Sequence, residues 1–221
     1  MPNQELIPPH DLICMDEHAE QCQYRVHLAY ARADNLLFGE KIYRTSAKLW
    51  LHRKIANIVH LAAENCYKQY GLHFVLYDGL RPVEAQEAMM RTQRVMNNPH
   101  WLQEPRLLSS PGGGGHPRAM AVDIGLETVD GVEVNMGTPF DYLAQNAHPD
   151  HNPAHRDYTH PQEILENRAI LNDCMLNAAK KFKTELLPLP EEWWDFRLPV
   201  KTTESYAPIQ DRDLPTDMRL M

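Results

Sequence analysis

From residue 46 to residue 70, apolar side chains fall at three- and four-residue intervals, at Leu51, Ile55, Ile58, Val59, Ala62 and Cys66. That spacing predicts an amphipathic helix. Thr45 or Ser46 offers an oxygen to cap its start, and Gly71 tolerates the left-handed turn that ends it. His73 to Asp78 reads as a short buried strand, and Pro82 suits the first turn of a second helix reaching to about Met96. Residues 119–127 read as a strand, Asp130-Gly131 as a hairpin turn and 132–134 as the returning partner. Pro161 opens another helix, with Ile164, Ala169, Ile170, Met175, Leu176 and Ala179 on its apolar side and Lys180, Lys181 and Lys183 at its C-terminal end. Residues 192–196 and 24–28 complete the strands, and 148–160 form a polar, histidine-rich loop. Helices and strands alternate without a parallel βαβ rhythm. The expected fold is therefore α+β, a single domain whose central, mostly antiparallel sheet is flanked by helices. Residues 1–199 form its body, and 200–221, polar with two prolines, an extended C-terminal tail.

Composition narrows the function classes. The chain has 221 residues, 43% of them hydrophobic, which is enough for one sizeable core. Its net charge of -8 and the absence of any basic cluster argue against a nucleic-acid partner. No run of eighteen apolar residues predicts a membrane span. Met1 to Glu5 lacks a basic region leading into an apolar stretch, so no secretory signal is read and a cytoplasmic location is expected. Cys14, Cys22, Cys66 and Cys174 are scattered without a C-x-x-C pair, which favours free thiols over a thiolate zinc site or a disulfide framework.

Three segments concentrate chemistry. In Tyr77-Asp78-Gly79-Leu80-Arg81-Pro82, an arginine at the end of a buried strand can bind a carboxylate or stabilise an oxyanion, or simply form a salt bridge with Asp78. Gly112 to Gly115 lead into His116, and Asp123 follows seven residues later inside an apolar stretch. An acid there is costly to bury unless it is paired or binds a cation, and imidazole with carboxylate makes two parts of a metal site. The alternative is a buried His–Asp hydrogen bond. In Glu191-Glu192-Trp193-Trp194-Asp195-Phe196, acids flank two indoles. A carboxylate beside large apolar rings can serve as an acid or base near neutral pH, and an aromatic core strand with solvent-facing acids is the plainer alternative.

Together these segments resemble the D-alanyl-D-alanine dipeptidases of the vancomycin-resistance type, which are zinc peptidases. The match runs from Tyr30 to Phe196 and includes Tyr30-Ala31-x-x-Asp34-Asn35, Tyr77 to Pro82, His116-x6-Asp123, Met136-Gly137-Thr138-Pro139-Phe140-Asp141 and Glu192-Trp193-Trp194. The resemblance implies that His116 and Asp123 are metal ligands and that Glu192 is the general base that moves a proton from the attacking water to the leaving amine. It implies that Arg81 stabilises the oxyanion and that Asp141 and Tyr30 hold the substrate's ammonium group. It also implies an α+β fold and a small site for dipeptides.

Two positions depart from the pattern. The family's third ligand is a histidine directly after Glu-Trp-Trp, where this chain has Asp195. Aspartate can ligate zinc, and the extra negative charge shifts preference toward harder ions such as manganese. A histidine of 148–160 could substitute. The family places serines before the metal histidine to bind the substrate carboxylate, and Gly114 and Gly115 stand there, where backbone N–H groups could serve. The expected function is hydrolysis of D-alanyl-D-alanine or a similar D-amino-acid dipeptide with one Zn2+ or Mn2+ per chain. The competing readings are a D,D- or L,D-carboxypeptidase acting on peptidoglycan peptides and a non-catalytic relative that binds dipeptide or metal. The expected partner is a small dipeptide, with neither nucleic acid nor membrane, and the sequence is compatible with a homo-oligomer.

Overall fold

The computed structural model describes residues 4–103, 106–146 and 148–221. In chain order the regular elements are β1 (Leu12–Cys14), β2 (Tyr24–Val26), β3 (Trp50–His52), α1 (Arg53–Tyr70), β4 (His73–Asp78), α2 (Val83–Met90), α3 (Gln93–Met96), β5 (Ala121–Glu127), α4 (Gln162–Lys181), β6 (Leu187–Pro188), β7 (Asp195–Arg197) and α5 (Val200–Thr203). β1 and β3 form a small antiparallel pair. The main sheet has the order β2-β4-β5-β7-β6, antiparallel throughout except where β2 runs parallel to β4. This is the α+β domain with a mostly antiparallel central sheet that the sequence predicts. No described helix is long and apolar enough to cross a membrane, and all four cysteines are buried and unbridged.

Alternation divides the central strands into two faces. Phe74↔Leu126, Leu76↔Ile124 and Val122↔Phe196 are cross-strand partners of apolar, almost wholly buried side chains. They belong to the core cluster to which α1 and α4 contribute Ile55, Ile58, Leu171 and Met175. The opposite face carries Asp123, Gly125 and Asp195. Regular pairing of β4 with β5 would place Tyr77 opposite Asp123. A bulge between Leu76 and Asp78 instead brings Asp78 into register with Asp123, as bulges near functional sites often re-aim a side chain. Tyr77 stays on the same side, where a Cβ added to Gly125 would come within 2.7 Å of its ring.

Several expectations are corrected. The helical period from residue 46 becomes helix only at Arg53, because Trp50–His52 pairs with β1; the His52 ring, not Thr45 or Ser46, accepts the Lys54 N–H at 3.2 Å. Gly71 ends α1 with φ 67° as predicted. The second helix divides at Arg91, where the Thr92 hydroxyl caps α3. Residues 132–134 return by a turn and a single bridge, Glu127↔Glu133, rather than a strand. The strand expected over 192–196 begins only at Asp195, since Glu192 lies outside regular structure and Trp193 and Trp194 form the turn that feeds β7. Residues 200–221 run along the body and bury Ile209, Leu214, Met218 and Leu220. Ile209 N–H donates to Pro117 C=O at 2.7 Å, which ties this segment to the turn carrying His116.

Candidate metal centre and active site

Three aspartates stand in a row across the sheet. Asp78 of β4, Asp123 of β5 and Asp195 of β7 are register partners in sequence, and all are at most 2% exposed. His116 enters from a single 3-10 turn after the glycine run. Its Nδ1 lies 2.8 Å from Gly79 C=O. A carbonyl only accepts, so Nδ1 donates to it and Nε2 is left to face the carboxylates. Nε2 is 3.5 Å from Asp123 Oδ1 and 3.3 Å from Asp195 Oδ2. Asp78, His116 and Asp123 each offer one ligand atom within 4.8 Å of the others. Asp123 Oδ1 is buried without a hydrogen-bond partner. An orphaned buried carboxylate oxygen facing an imidazole nitrogen fits a divalent cation.

The two outer aspartates are held by arginines. Asp78 Oδ1 accepts from the Tyr43 hydroxyl at 2.9 Å, and Oδ2 accepts from Arg81 Nε and a terminal nitrogen, both at 2.8 Å. Arg81 also reaches Asp123 Oδ2 at 3.4 Å and lies 5.1 Å from the centre of the Tyr30 ring. Asp195 is gripped through both oxygens by Arg197, with Nε 2.8 Å from Oδ1 and a terminal nitrogen in close contact with Oδ2. Burial alone would raise the Asp195 carboxyl, but Arg197 and His116 hold it well below the usual carboxylate range. Burial and the Arg81 charge would lower His116, yet Asp123 and Asp195 push it up to about 10, so Nε2 also holds a proton at neutral pH, which a bound cation would displace.

A cavity of about 340 Å³ opens over this row, in the size range of small-ligand sites. Tyr30, Arg81, His116, Asp123, Asp141, Glu192 and Asp195, drawn from segments far apart in the chain, all line it. Burial pushes Glu192 well above the ordinary carboxylate value, with the Asp195 and Asp123 charges adding to it. Asp141 is pushed up likewise, by burial first and Asp123 second. Tyr30 hydroxyl donates to Asp141 Oδ1 at 2.9 Å, while Asp141 Oδ2 is buried and unpartnered. Asp141 has φ 63°, unusual for a residue with a side chain. The preceding Phe140 holds it there, stacked on Tyr77 at 4.4 Å and edge-on to Trp194 at 5.5 Å.

Family comparison agrees with this geometry. The model of the peptidase M15 family described as D-ala-D-ala dipeptidase matches residues 14–212. The chain belongs to the D-Ala-D-Ala dipeptidase family. It is similar to the D-alanyl-D-alanine dipeptidase of Escherichia coli (strain K12), with 29% identity over 175 residues, 79% of this chain and 78% of that one. Among solved structures it matches the Serratia marcescens L-Ala D-Glu endopeptidase ChiX at a TM-score of 0.39 and 13% identity, covering 69% of this chain and 83% of that one.

Within this D-Ala-D-Ala dipeptidase fold, some expected residues lie elsewhere. Gly114 and Gly115 line a neighbouring cavity rather than the one over the aspartates. The run is a fixed loop: Arg118 donates to Gly112 and Gly114 carbonyls at 2.9 and 3.0 Å, and Gln86 accepts from Gly112 N–H at 2.7 Å. Ser109 lines the main cavity instead. No described histidine of 148–160 lines it. His155 is buried against its own turn, and His160 contacts Pro153 C=O at 2.8 Å. Sequence reading treated Asp78 only as a staple for Arg81 and missed Arg197. The signal for Arg197 was its position two residues after Asp195 on a strand, which puts both on one face.

Proposed function

We propose that the protein is a metal-dependent dipeptidase that hydrolyses D-alanyl-D-alanine or a similar D-amino-acid dipeptide. The observation that carries this reading is the unpartnered Asp123 Oδ1 facing His116 Nε2, in one cavity with Glu192 and Arg81. His116 and Asp123 would hold a zinc or manganese ion, with Asp195 available as a third donor where Arg197 releases it. Asp78, which offers a ligand atom within 4.8 Å of His116 and Asp123, is the alternative for that place, and its oxygens, like those of Asp195, already accept from an arginine. The bound ion would supply a water of lowered pKa and polarise the scissile carbonyl.

Glu192, whose burial favours holding a proton, takes one from the attacking water and delivers it to the leaving amine. Arg81, oriented by Asp78, donates to the oxygen that becomes negative. The free oxygen of Asp141 accepts from the substrate's ammonium group, with Tyr30 fixing the carboxylate. The Ser109 hydroxyl, which lines the same cavity, receives the substrate carboxylate. Water adds across the peptide bond and two amino acids leave.

Elemental analysis of the purified protein and a D-alanyl-D-alanine assay with zinc, manganese or cobalt test this reading. Turnover should fall about 10²- to 10⁴-fold in Glu192→Gln with metal content unchanged. Undiminished turnover in that variant would refute the role of Glu192. The grip of Arg197 on Asp195 favours a second reading, a relative that binds dipeptide or metal without turnover. Metal uptake with no hydrolysis of any dipeptide would select it.

A further inference from the structure

The natural chain carries a carboxylate where the resembling enzymes carry a ligand imidazole, and it carries a cation two residues later. Asp195 pairs in register with Asp123 and Arg197 with Ala121, so both side chains stand on the face that holds His116. The Arg197 fork covers both Asp195 oxygens. Asp195 Oδ2 is nevertheless only 3.3 Å from His116 Nε2, close enough to share an ion if the fork opened. The partners differ in freedom. Asp195 has a side chain 1% exposed, whereas that of Arg197 is 22% exposed. Among the described residues Arg197 makes side-chain hydrogen bonds to Asp195 alone. It also lines both the main cavity and the adjoining one bounded by the glycine run, Thr203 and Glu204. The guanidinium thus borders a second cavity, which holds Glu204 together with Arg118, and Asp195 does not.

We propose that Arg197 is a positioning residue that withholds Asp195 from the metal centre, so that the natural chain binds its divalent ion chiefly through His116 and Asp123. Departure of Arg197 into the neighbouring cavity frees Asp195 as a third donor. The inference rests on the dipeptidase reading of the site. A fixed cation beside a dication also opposes loading by charge repulsion, which removal of Arg197 would relieve.

The test is Zn2+ affinity, measured by competition with a chromophoric chelator, together with the Co2+ absorption spectrum. Arg197→Met keeps the apolar stem and removes the fork. It should bind Zn2+ about 10- to 100-fold more tightly than the natural chain, the range over which groups around metal ligands change affinity. Asp195→Ala should change affinity little in the natural chain but reverse the gain in the Arg197→Met background; because an ion pair couples on charge alone, the Co2+ spectrum identifies the released ligand. The Co2+ spectrum should change in Arg197→Met alone. If Arg197→Met does not fold, Arg197→Lys, which cannot cover both oxygens, should show a smaller gain in the same direction. Folded Arg197 variants with unchanged or weaker affinity overturn the proposal, as does a tenfold loss in Asp195→Ala alone. Asp195→His separates the two readings. Zinc binding and turnover in that variant, without any gain in the Arg197 variants, sink this inference and leave the dipeptidase reading standing. Absence of zinc and turnover from all of these chains sinks both.

Discussion

Asp78 and Asp195 flank Asp123 in the same row, and each is gripped by an arginine from its own stretch of chain. The two pairs are built differently. Arg81 comes from the turn after β4, is bound to Asp123 and Tyr30 as well, and shares Asp78 with the Tyr43 hydroxyl. Arg197 comes from the same strand as its aspartate and has no other side-chain hydrogen bond among the described residues. The first pair is a closed network that fixes a guanidinium for use. The second is a single clasp at the edge of a cavity. A buried carboxylate is therefore scaffold or potential ligand according to how many other partners its arginine has.

The middle of the row gives the largest expected effect. Asp123→Asn should abolish divalent-ion uptake and hydrolysis together, seen by elemental analysis and dipeptide assay; retained uptake would place the ion elsewhere. Next is the contrast between the flanks. Asp78→Ala leaves Arg81 buried without its main partner and should cost about 3–5 kcal/mol in urea unfolding. Asp195→Ala leaves an arginine that can turn toward water and should cost about 1–3 kcal/mol. Equal costs would break the comparison. The smallest effect belongs to Tyr43→Phe, which removes only one hydroxyl from Asp78 and should cost about 1 kcal/mol with metal affinity unchanged.

The sequence carried much of the fold because α1, β4, β5 and α4 are written in periodicity. Ile55, Ile58, Val59 and Ala62 mark one helical face, and every residue of β5 is buried. β3 was hidden because Leu51 fits both the helical period and a buried strand position, and its pairing with β1 is non-local. Tyr30, Arg81, His116, Asp123, Asp141, Glu192 and Asp195 were legible as chemistry through family resemblance, and they line one cavity. The place of Asp78 was not, because a bulge is a property of strand pairing and leaves no mark on hydrophobic spacing. Nor was the glycine run legible as a fixed loop, since the residues that pin it, Gln86 and Arg118, lie outside it.

The extra residue at the end of β4 makes the layout of the site depend on a local departure from strand pairing as well as on side-chain identity. Straightening the bulge at constant length would place Tyr77 opposite Asp123 and swing Asp78 to the side of Leu76 and Ile124, carrying away the anchor of Arg81. Exchanging the ring at Tyr77 would leave the bulge intact and alter only the wall it forms with Phe140. Substitutions at Tyr77 and Phe140, which line a neighbouring cavity, thus leave the row of aspartates in place, whereas loss of the bulge would take Asp78 out of it.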